Sequence, residues 1–146
     1  MTKFLFILFF LPIGLTELVA QRTATEWFYN AKKYDDNLQY EQALYGYNQA
    51  ITISPDFAGA YNNRGVVHAK MGDHEEAVKD YLKSIELGHP IPGIPWFNLA
   101  HSFEELGRCS EAYEAYQKAK DQPVLIEVNE LDLNEGLARL TIRCRA

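Results

Sequence analysis

The sequence predicts an all-α fold: three helical hairpins stacked as a solenoid and closed by a C-terminal capping helix. Three observations carry that expectation. Six residue slots recur along the chain at steps of 34 and then 35. Within each unit the slots are spaced by four and three, the period of one helix face. Chain breakers fall between the two helical stretches of every unit. A fixed period of this length marks a repeat architecture, in which each unit covers the apolar face of its neighbour.

The register opens with Trp27, Tyr61 and Trp96. It continues through Ala31, Gly65 and Ala100, then Tyr34, His68 and Phe103. In the second stretch of each unit it runs through Ala43, Ala77 and Ala112, then Tyr47, Tyr81 and Tyr116, then Ala50, Ser84 and Ala119. The small residues let the two helices of a hairpin approach closely, while the aromatics fill space between hairpins. Asp35-Asp36-Asn37, Gly72-Asp73 and Gly107-Arg108 end one helix and begin the next. Pro55 stops the first hairpin, and the longer Gly88-His89-Pro90 connection accounts for the second step.

This pattern resembles the tetratricopeptide repeat family, whose signature over 34 residues is met by Trp27, Ala31, Tyr34, Ala43, Tyr47, Ala50 and Pro55. The resemblance covers about residues 24–125 and implies a right-handed α-solenoid with units at about 24–57, 58–92 and 93–126. His68 departs from the usual aromatic, and Asn30 and Arg64 stand where Leu99 shows the commoner apolar choice. A stack of repeats needs a cover at its end. Leu133, Leu137, Leu140 and Cys144 share one helix face, so residues 127–146 are expected to form that cap, with 122–129 either a loop or its first turn.

Residues 1–20 differ from the rest. A lysine, the apolar run FLFILFFLPIGL and a small residue at Ala20 form the three-part pattern of a signal peptide. The sequence therefore leads to the expectation of an exported protein, periplasmic or secreted, cleaved before Gln21. The alternative is an uncleaved N-terminal membrane anchor. Cys109 and Cys144 either close a disulfide or stay as separate thiols.

The net charge of −6, from 20 acidic and 14 basic residues, argues against a nucleic-acid binder. A membrane partner is expected only if the N-terminal segment is retained. No catalytic residue, cofactor or metal site is expected. His68, His74, His89 and His101 include no pair at the four-residue helical spacing that holds a metal. Phosphate loops, serine elbows and cysteine nucleophile motifs are missing from the sequence.

What remains is a groove on the first helices of the hairpins, where stacked repeats bind partners. Counting from the packing slots places Phe28, Lys32, Asn62, Asn63, Val66, Phe97, Asn98 and His101 near it, together with Lys70 and Glu105. Phe28 and Phe97 are candidate anchors. Asn63 and Asn98 occupy one slot a repeat apart, and their amides suit the main chain of an extended peptide, a role the resemblance also implies. Some family members clamp a chaperone's C-terminal carboxylate with basic residues. Here Phe28, Ile94 and Asn98 stand in those positions and only Asn63 fits. The expected function is a non-catalytic adaptor for a protein or peptide partner; the alternative is a membrane-anchored structural subunit of an envelope complex.

Overall fold

The computed structural model describes residues 23–122 and 130–144. Among these there are seven helices: α1 (Ala24–Asp36), α2 (Tyr40–Ile53), α3 (Ala58–Lys70), α4 (His74–Glu86), α5 (Gly93–Glu105), α6 (Cys109–Lys120) and α7 (Glu130–Arg143). The first is started by a capping box, in which the Thr23 hydroxyl accepts from the Glu26 amide and the Glu26 carboxylate accepts from the Thr23 amide. Between α2 and α3 lies Pro55, and Pro95 falls in the first turn of α5, where a missing amide hydrogen costs nothing.

Consecutive helices pair as three hairpins, α1–α2, α3–α4 and α5–α6. The hairpins stack by α2 on α3 and α4 on α5, and α7 covers α6. The first helices also touch along the stack, α1 to α3, α3 to α5 and α5 to α7, whereas α2, α4 and α6 do not touch one another. The first-helix side is therefore the tighter one, and the stack curves with α1, α3, α5 and α7 on its concave face.

The small slots hold the hairpins together. A Cβ on Gly46 would sit 2.8 Å from that of Ala31, and one on Gly65 would sit 2.8 Å from the Tyr81 ring, so both positions depend on the missing atom. Tyr47, Tyr81 and Tyr116 are buried at the same level of successive hairpins. Tyr34 is 42% exposed, with none of the other described hairpins packed on that side of α1.

The end of the stack is closed by α7, whose Leu133 and Leu140 are buried and whose Leu137 packs beside them. One covalent and two polar ties hold it. Cys109, at the start of α6, is bonded to Cys144, just past α7. Glu104, only 3% exposed, accepts from the Tyr116 hydroxyl at 3.1 Å and from Arg139 Nε at 3.4 Å. Arg143 reaches Glu105 at 3.3 Å. The segment 1–20 and most of 122–129 lie outside the described residues. No helix among those described is long and apolar enough to cross a membrane.

Candidate functional site

The concave face carries one chain of side-chain amides. Asn98 Nδ2 of α5 donates to Asn62 Oδ1 of α3 at 3.2 Å, and Asn62 Nδ2 donates to Asn63 Oδ1 at 3.1 Å. Asn62 is 4% exposed and lies within this seam. That corrects its placement as a groove residue: it joins two helices and orients its neighbours. The ends of the chain are different. Asn63 keeps amide hydrogens to give and Asn98 keeps carbonyl capacity to accept, the two functions an extended main chain requires.

Beside Asn63 the Tyr47 hydroxyl is buried, with the Asn63 amide near it but no well-aligned hydrogen bond. Burial, helped by Asp35 and Asp36, holds its phenol far above the ordinary range against the opposing Asn63 amide, so it remains protonated.

Between α3 and α5 the face opens into a hollow of about 260 Å³. Val66 and Ala69 of α3 form one wall and Phe97, Asn98 and His101 of α5 the other. The remaining lining comes from Lys70, from His74 and Tyr81 of α4, and from Ser102 of α5. Ser102 is 1% exposed, its hydroxyl set near the Tyr81 phenol without a well-aligned hydrogen bond, and His74 Nδ1 is likewise shut from water with no hydrogen-bond partner in the protein. Burial pushes the neighbouring Tyr81 phenol well above its ordinary value.

The charges nearby are mostly spoken for. Lys70 Nζ lies 2.6 Å from Asp35, and Arg143 bonds Glu105 and holds its carboxyl below the usual range. Among the described residues no three His, Cys, Asp or Glu side chains converge as metal ligands.

Of the residues the sequence pointed to, Val66, Phe97, Asn98 and His101 meet at this hollow, with Asn63 one link away along the amide chain. Phe28 does not join them. Its ring stacks on Phe57 at 4.9 Å and meets Tyr47 edge-on at 5.7 Å, so it is used in packing. Phe97 is shared, with one side on Tyr116 at 5.8 Å. Lys32 is exposed and pairs with Asp36 at 3.3 Å. His74, Tyr81 and Ser102 escaped the sequence reading because their convergence needs the α4–α5 packing.

A larger hollow of about 490 Å³ lies on α1 and α2, between Trp27, Tyr34 and Tyr45. It lies at the end of the described stack. The matching level of the next hairpin is covered from α2, where Asn48 bonds Arg64.

A model of the tetratricopeptide repeat matches residues 56–122 and a second, of the TPR repeat, residues 39–72. The small glutamine-rich tetratricopeptide repeat-containing protein 2 of Mycosarcoma maydis is 31% identical over 99 residues, 68% of this chain. The chain spans 27% of that relative and 24% of its Saccharomyces cerevisiae counterpart. Among solved structures, the first TPR of Spaghetti (RPAP3) bound to the HSP90 peptide SRMEEVD has a TM-score of 0.77 at 15% identity, covering 85% of this chain and 94% of that one. The TPR2B domain of yeast Sti1 in its pHsp70 complex has a TM-score of 0.67 at 25% identity, covering 82% and 94%.

These likenesses overturn the expectation of an exported or N-terminally anchored protein. The chain matches the small glutamine-rich tetratricopeptide repeat-containing relatives and the TPR2B domain of yeast Sti1. The envelope-subunit alternative, which depended on the anchor, goes with it.

Proposed function

Because the chain belongs to the tetratricopeptide repeat family, we propose that it is an adaptor that binds an extended segment of a protein partner along the concave row of α1, α3, α5 and α7. The observation that carries this is the polarised amide chain, with donors left at Asn63 and an acceptor left at Asn98. A main chain laid across the two helices meets both. Removing it again would strand these groups only in water, so binding is reversible and reads little sequence at this point.

The RPAP3 and Sti1 domains are solved with chaperone peptides. This groove is built for a different charge. Phe28, Ile94 and Asn98 are uncharged, while Lys32 and Lys70 are occupied by Asp36 and Asp35. The proposed partner segment is therefore held by its backbone and by apolar contacts, with no carboxylate clamp. The reading is also non-catalytic. Ser102 makes no hydrogen bond to either imidazole lining the hollow, and a hydroxyl without a base is a weak nucleophile.

Site-specific photo-crosslinking tests this. A benzophenone side chain at His101, on the concave face, is expected to capture polypeptide, and the same group at the exposed Tyr113 of α6 is not. Equal capture from both positions contradicts the proposal.

A further inference from the structure

The hollow on α1 and α2 lies on the side of the first hairpin away from the other described helices, and we infer that it seats the chain's own apolar segment, residues 4–15, as the cover of that end of the stack.

The face calls for an apolar occupant. In the other two hairpins the corresponding face is covered by the second helix of the hairpin before, α2 on α3 and α4 on α5. One repeat slot registers the difference: Phe103 is 7% exposed and Tyr34 is 42%. Trp27 and Tyr45 meet edge-on at 5.7 Å, and with Ala31, Tyr34 and Gly46 they give the hollow of about 490 Å³ most of its lining. Tyr45 is itself 58% exposed there. Contiguous apolar surface of this kind marks a place of contact.

The segment matches the hollow in composition, reach and charge. FLFILFFLPIGL holds no charged or hydrogen-bonding side chain, so it gains by leaving water. Residues 16–22 join it to α1, a connection of seven residues, within the range of about two to eight that links packed helices. From Trp27 to Tyr34 the hollow follows α1 for about 10 Å, and twelve residues supply about 18 Å even at the compact helical rise, so no continuous helix across Pro12 is needed. Running back along α1, the chain delivers Lys3 to the far edge, where the exposed Glu41 stands at the start of α2. The short tether holds the segment beside the face at an effective concentration on the order of millimolar, far above that of a second copy in dilute solution. A second copy would also leave both apolar segments uncovered.

The test is photo-crosslinking of the full chain, with a benzophenone side chain at Phe9, in an equal mixture of isotopically heavy and ordinary chains. Links are expected within one chain, to residues 27–46 of α1 and α2. Tyr45→Glu, a change at an exposed side chain outside the hairpin core, is expected to remove most of the link. Lys3→Glu should lower the yield, and Lys3→Glu with Glu41→Lys should restore it.

Links between heavy and ordinary chains would assign the face to a second copy. Links to other helices or to copurified lipid would carry the segment elsewhere, and no link at all would leave it unseated. Each of these overturns the proposal, as does a yield that Tyr45→Glu leaves unchanged. None of them bears on the concave groove, which this segment does not use.

Discussion

Arg64 crosses the middle hairpin to hold both carboxylate oxygens of Asp80, with Nε 2.8 Å from one and Nη2 2.6 Å from the other. Its Nη1 reaches back 2.6 Å to Asn48 of the preceding hairpin. The same two slots hold Asn30 and Gly46 in the first hairpin and Leu99 and Ala115 in the third. Asp80 is buried, so removing one partner leaves a charge without compensation. Arg64→Leu, which strands Asp80, is expected to cost about 2–4 kcal/mol, while Arg64→Leu with Asp80→Ala, the pair used by the third hairpin, returns to within about 1 kcal/mol of the native chain. Urea denaturation of the single and double variants measures this, and equal losses in both would remove the pairing argument.

That pair also shows what the sequence could and could not reveal. The packing slots were legible because one steric demand is repeated three times: Ala31, Gly65 and Ala100 must be small, and Tyr47, Tyr81 and Tyr116 fill one buried level. Arg64 stood out as an exception, yet nothing in a single pass along the chain tied it to a carboxylate sixteen residues on. The groove was legible as a face and less so residue by residue. Asn62 shares that face but falls on the α3–α5 seam, and Phe28 looked like an anchor until Phe57, from the connection ahead of α3, stacked on it. The hollow between α3 and α5 joins three helices, so no local pattern contains it.

Leu38 has φ +60, the left-handed region, at the position where the next two hairpins place Gly72 and Gly107, with φ +86 and +72. Its side chain is 71% exposed and gains little from burial to offset the strain. Leu38→Gly is expected to raise stability by about 0.5–1 kcal/mol, and Gly72→Leu to lower it by about 1–2 kcal/mol. Thermal melts check both; a fall in stability with Leu38→Gly would show that the leucine packs usefully.

The cap depends on its cross-link. Cys109 and Cys144 are separated by 35 residues, and closing such a loop contributes about 3–4 kcal/mol in the chain-entropy description. Because repeats are coupled mainly to their neighbours, reduction should loosen α7 first. Its amides are expected to exchange faster while those of α3 and α4 hold. Leu140→Asp should detach α7 even with the disulfide intact, since a buried carboxylate there costs about 3 kcal/mol or more. Uniform loss of protection across all hairpins would contradict a separable cap.

Acid acts on the same element. The Arg143 hydrogen bond holds the Glu105 carboxyl below the usual glutamate value, so its stabilising contribution is complete above that value, about 4.3, and is lost as pH falls through the lower folded one. Amide signals of α7 are therefore expected to weaken on acidification below about pH 4.3. Glu105→Gln should flatten that dependence. An identical acid response in both chains would assign the loss elsewhere.

Binding on the concave face is read most directly by hydrogen exchange of the chain with and without the polypeptide captured at His101. Slower exchange is expected within residues 62–70 of α3 and 97–102 of α5, the two stretches that meet at the amide chain and the hollow beside it. Slowing confined to α2, α4 or α6 would place the partner on the opposite side of the stack and contradict the groove as the working surface.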